Sequence, residues 1–160
     1  MDHSDLEKRA YERIMLELTS RTAMMMTHGI LLALIGFTMA LTGAPAPIEA
    51  SWGPWSRLAL GAVAVASGAV IIFGAAETDN EHAGWLALSV GFTSGLLWHA
   101  GLSIAYMVAA LQAKIVILSP GADLSSEITS RGYIPLVYLG YVILTGIHAR
   151  TVWKLGPPPR

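Results

Sequence analysis

Three histidines fall inside long apolar stretches of this chain: His28, His99 and His148. Around the second, Gly91, Gly95, His99 and Ser103 recur every four residues, and Tyr106 extends the series. On a helix this spacing makes one stripe of small and polar side chains. Further along, Tyr138, Tyr141, Thr145 and His148 follow at intervals of three, four and three, so they too share a helix face. Imidazole, phenol and hydroxyl groups both donate and accept hydrogen bonds.

Three kinds of chemistry are open to such faces. The plainest is hydrogen bonding between helices, worth about 0.6 kcal/mol per contact in lipid. The second is ligation. His28 and His148 each lie about five residues inside the same end of their segments, so two imidazoles at one depth could hold a haem iron or another metal. The third is a proton relay through His99 and the tyrosines. His99 lies near the centre of its segment, where a charged imidazolium would cost several kcal/mol, so a neutral ring is expected. By depth, Tyr141 or Thr145 is its expected hydrogen-bond partner.

Other chemistries are absent from the sequence. It has no cysteine, which excludes disulfides, thiolate catalysis and cysteine-held clusters. It shows no Ser/His/Asp arrangement and no phosphate-cradling glycine loop. No acidic residue lies within an apolar segment, so carboxylate-coupled ion transport is not expected. Met24-Met25-Met26 reads as apolar filler rather than a soft-metal site. An enzymatic role, a resident metal and a nucleic-acid partner are therefore not expected. No cofactor is assigned, with haem on His28 and His148 as the alternative.

The elements that must position these residues read as an all-α, polytopic integral membrane protein. Hydrophobic residues make up 54% of the 160 and charged residues 13%, about half the share usual in a soluble domain. Mean hydropathy is +0.55. From Trp85 to Leu111 there is neither a charge nor a proline. As a helix that run is about 40 Å long, enough to cross a hydrocarbon core of about 30 Å with tilt. Four such spans are expected, at about 23–42, 57–76, 84–111 and 133–153. The acidic turn 77–82 separates the second from the third. Pro45 and Pro47 stop the first, Ser119-Pro120-Gly121 stops the third, and a polar loop leads on to Gly132. Residues 155–160 form a short tail.

Residues 1–22 are polar, with Leu6, Ala10, Ile14 and Leu18 repeating every four residues and Ser4 at capping-box spacing from Glu7. They predict an amphipathic helix lying on the membrane surface or against the rest of the protein. Gly61 and Gly68 on the second span, and Gly91 and Gly95 on the third, are small enough for close helix contact. Trp52 and Trp55 suit a membrane interface. Seven of the ten lysines and arginines sit at the two ends of the chain, which puts both termini in the cytoplasm of a cell (inner) membrane protein.

Three functions remain compatible with this picture. The first is an accessory or structural subunit, docked on other membrane subunits or on copies of itself. The second is a membrane-permeabilising protein that resembles phage holins in architecture, although it lacks the strongly charged tail many of them carry. The third is a haem- or quinone-binding electron-transfer subunit. The first is the expectation carried forward.

Overall fold

The computed structural model describes residues 3–43, 48–49, 52–77, 79–117 and 134–156. It contains four long helices: α1 (His3–Thr42), α2 (Trp55–Ala76), α3 (Glu81–Ile117) and α4 (Ile134–Leu155). Three are long and apolar enough to cross a membrane, over Thr19–Thr42 in α1, all of α2, and Glu81–Val108 in α3. The stops expected at 44–47 and 119–121, the polar loop and the last four residues lie outside the described residues. So do the side-chain faces of residues 3–15.

One boundary differs from the sequence expectation. The N-terminal polar segment and the first span form a single uninterrupted helix of 40 residues, about 60 Å long. Nothing between Leu16 and Ala23 would break it, since the stretch holds neither glycine nor proline. The change at residue 22 is one of polarity along one helix, not a junction between two.

The helix ends have local causes. Gly43 takes φ +118°, a conformation costly for any residue with a Cβ, and its N–H closes on the Met39 carbonyl at 2.9 Å. Pro54 opens α2. The acidic turn works as a pair of caps. A Glu77 carboxylate oxygen accepts the N–H groups of Asp79 and Asn80 at 3.1 and 2.9 Å, and the Asn80 side chain accepts the Ala83 N–H at 3.0 Å.

The helices pack in chain order, α1 on α2, α2 on α3 and α3 on α4. Glycines set how closely. A methyl group added at Gly68 would land on the Gly29 carbonyl oxygen, and one at Gly61 would lie 2.6 Å from the Gly36 carbonyl. Gly29 and Gly36 on α1 thus pair with Gly68 and Gly61 on α2, seven residues apart on each helix. Between α2 and α3, Gly74 meets the Gly84 carbonyl and Gly91 meets Ile71 and the backbone around it. Gly95 is looser, its nearest neighbours being side-chain atoms of Leu32 and Thr145 at 3.0 and 3.8 Å. The core is Leu32, Met39, Ala64, Ile71, Phe92, Trp98, Leu102, Ala149 and Val152. Two indoles tie helices together: Trp98 Nε1 donates to the Leu60 carbonyl at 2.9 Å, and Trp85 Nε1 to the Val152 carbonyl at 3.0 Å.

Gly68→Ala should therefore lower the thermal stability of the detergent-purified protein, since overpacking costs about 1–3 kcal/mol. Gly101→Ala should leave it unchanged or raise it, because Gly101 has open space around it and glycine is a poor helix former. Equal effects of the two substitutions on the melting temperature would contradict this packing.

Candidate functional site

α4 approaches α3 closely but meets α1 mainly through side chains. The wider α1–α4 gap is filled by rings. His28 extends from α1 and Phe92 and His99 from α3. Tyr138, Tyr141 and His148 come from α4. His28 meets His148 edge to face at 5.4 Å between centroids, and Phe92 stacks on His148 at 5.3 Å. One level along, His99 lies 6.3 Å from His28 and stacks flat on Tyr141, at 5.1 Å and 11°. Beyond it, Tyr138 lies 6.3 Å from His99 and stacks on Tyr106 at 5.3 Å. Trp98 walls the file, edge-on to His99 at 5.0 Å.

The middle of this file is closed to solvent. His99 is 1% exposed, His28 6% and Thr145 0%. Ser103, one turn beyond His99, is buried with them. Tyr106, Tyr138, Tyr141 and His148 are half-buried. Thr145 Oγ1 and His28 Nε2 form a buried hydrogen bond of 3.1 Å that joins α4 to α1. His99 Nδ1 is also buried but has no hydrogen-bond partner. A buried polar atom in that condition carries a desolvation cost of about 1–3 kcal/mol.

The polar partners differ from the sequence expectation in one respect. Depth alone pointed to Thr145 or Tyr141 as the hydrogen-bond partner of His99. In the structure Thr145 serves His28 instead, and Tyr141 offers its face to His99 rather than its hydroxyl. Counting residues from segment ends fixes a depth to about one turn, and Thr145 lies one turn from Tyr141. The small-residue positions divide as well. Gly61, Gly68 and Gly91 sit in tight contacts inside the bundle, and Gly95 faces Leu32 beside the rings.

One ring was not singled out from the sequence. Phe92 stands seven residues before His99, as Tyr106 stands seven after it, so heptad spacing would have placed it on the same face. Ser67 and Ser94 form a second polar link, 2.8 Å between hydroxyls across α2 and α3. Hydroxyls in apolar helices usually bond their own backbone, and both of these do, which is why neither stands out by type.

A haem held between His28 and His148 does not fit this arrangement. Two axial nitrogens would stand about 2 Å from the metal on opposite sides of a macrocycle. Here the two imidazoles touch edge to face, Phe92 packs on both, and His28 Nε2 is engaged by Thr145. Nor do the three imidazoles converge: among the described residues no three His, Cys, Asp or Glu side chains are placed to hold one metal ion. What the arrangement offers is a line of imidazole and phenol groups able to donate and accept hydrogen bonds, closed to solvent at its centre.

No family model matches the chain, and no curated protein or solved structure is significantly similar to it.

Two substitutions separate the satisfied histidine from the unsatisfied one. Thr145→Val keeps the shape but strands His28 Nε2, and should cost about 1–3 kcal/mol of stability. His99→Phe keeps a ring against Tyr141 and removes the unpartnered Nδ1, so its cost should be smaller. Unfolding in detergent, followed by tryptophan fluorescence, orders the two; the reverse order would contradict the assigned hydrogen bond.

Proposed function

We propose that this chain is an integral protein of the cell membrane, crossing it four times with both termini in the cytoplasm. In this reading it serves as an accessory or structural subunit, docked side by side with other membrane subunits or with copies of itself. The observation that carries the reading is the division of small residues between inside and outside. Gly29, Gly36, Gly61, Gly68 and Gly91 are used up in the bundle's own contacts, whereas Gly101 on α3 and Gly140 on α4 face outward with nothing within 4 Å. Around them the surface is apolar: Leu97, Ile104 and Val108 on α3, and Leu136, Val137, Ile143, Leu144 and Ile147 on α4. Among its described residues, α4 buries a narrow strip of Thr145, Ala149 and Val152. Its 22 residues, about 33 Å as a helix, match α2 in length. A helix so uncovered must face lipid or a partner, and outward glycines allow a partner's backbone to come close.

Topology is tested by single cysteines, Ser4→Cys, Ser51→Cys and Ser125→Cys, in a chain that has none of its own. A membrane-impermeant thiol reagent outside intact cells should label the cysteines at 51 and 125 and spare the one at 4. Labelling at 4 alone would invert the orientation, and labelling at all three would break the even number of spans.

Assembly is tested by Gly101→Leu and Gly140→Leu. In mild detergent the native protein should run as a complex larger than the 17.0 kDa chain alone. The leucines should shrink that complex while leaving the melting temperature unchanged. A native protein that is monomeric in both detergent and lipid discs would overturn the subunit reading. Loss of membrane integrity on expression in cells would point to permeabilisation instead.

A further inference from the structure

The ring file in the α1–α4 gap has a continuity that docking does not explain. From His148 it passes to His28, to His99, to Tyr138 and to Tyr106, with no step between ring centroids longer than 6.3 Å. Tyr141 lies flat against its middle member. Every member is titratable and can both give and take a proton. On α3 the file runs from the level of Phe92 to Tyr106, 14 residues or about 21 Å. That covers some two-thirds of a hydrocarbon core of about 30 Å. Its ends are half-buried and its centre is closed, and a buried ring nitrogen with no hydrogen-bond partner, His99 Nδ1, sits at that centre.

We propose that this file conducts protons along the bundle axis, with His99 as its central relay. The proposal rests on the membrane placement proposed above. A proton taken up at one end is matched by one released at the other, so no bond other than N–H and O–H is made or broken. His28 hands protons between His148 and His99, with the Thr145 hydroxyl as the hydrogen-bond partner of its Nε2. At His99, Nδ1 has no competing partner and accepts a proton from one neighbour, while Nε2 releases one to the next. The groups that face the file are His28 from α1, His99 and Tyr106 from α3, and Tyr138, Tyr141 and His148 from α4. α2 adds no titratable group, because its one such residue, Arg57, is exposed. Exposed His82 and the side chains of Glu77, Asp79 and Glu81 stand at and beside the N-terminal end of α3, on the side where His148 lies. Trp98 takes no part in transfer, since its N–H is committed to the Leu60 carbonyl.

The test uses the full chain in phosphatidylcholine–phosphatidylglycerol vesicles carrying a trapped pH-sensitive dye. Flotation of the protein with the vesicles establishes insertion, and protein that does not float would overturn both the membrane reading and this one. A potassium diffusion potential set with valinomycin then drives protons inward. Wild-type vesicles should acidify faster than protein-free ones while retaining trapped calcein. Tyr138→Phe, which keeps the ring and loses only the hydroxyl, and His99→Phe should each return the rate to the protein-free level with melting temperatures close to wild type. The proposal is overturned if inserted wild-type protein acidifies no faster than lipid alone. It is equally overturned if both variants conduct as well as wild type, or if calcein escapes with the protons.

Discussion

Gly68 meets the backbone of Gly29 with no room for a methyl group between them, and Gly61 meets Gly36 in the same way one heptad along. Much of the structure follows from that closeness. Backbones this near exchange extensive van der Waals contact, the main attraction between helices where lipid removes the hydrophobic drive. α1 and α2 therefore form a closely packed pair, and Gly74 and Gly91 extend the close packing to α3. α4 lacks such glycines on its inner strip, where Tyr138, Tyr141, Thr145 and His148 stand instead. It is held at the distance these long side chains set. The gap they fill is the ring file.

An apolar body tolerates buried polar groups only if they are paired. Most here are. Thr145 bonds His28, Ser67 bonds Ser94, and both interior indoles reach backbone carbonyls of neighbouring helices. Each such bond fixes which helix lies beside which, and at what register, a role nonspecific apolar packing performs poorly. His99 is the exception among the rings. Among the described residues it is the most deeply buried histidine, and its Nδ1 has no hydrogen-bond partner. A fold that satisfies His28 while leaving His99 Nδ1 unpartnered places a desolvation cost at the centre of the ring file.

Much of this was legible in the residues. Charge-free apolar runs bounded by turn residues gave the helices, and three of them have the length and composition to cross a membrane. The interval pattern of Tyr138, Tyr141, Thr145 and His148 was enough to put them on one face, because helical periodicity is local. What periodicity cannot carry is partnership. Nothing in the sequence decides that Thr145 bonds His28 rather than His99, since that depends on a rotation of α4 by less than one turn. The pairing of Gly29 with Gly68 was likewise hidden, because small residues are frequent throughout α1 and α2 and only the crossing point selects among them. The continuous helix from His3 was missed for a different reason. A change from polar to apolar residues looks like a boundary, but backbone hydrogen bonding does not register it.

The central claim is that α1, α3 and α4 enclose a connected file of histidine and tyrosine rings inside an apolar bundle. Solid-state NMR on protein selectively labelled at histidine, tyrosine and threonine, in lipid bilayers, addresses it directly. The structure predicts through-space correlations between His99 and Tyr141, between His28 and His148, and between His28 and Thr145, with no contact from the His99 ring to lipid acyl chains. Correlations of His99 with acyl chains in place of Tyr141 would contradict it.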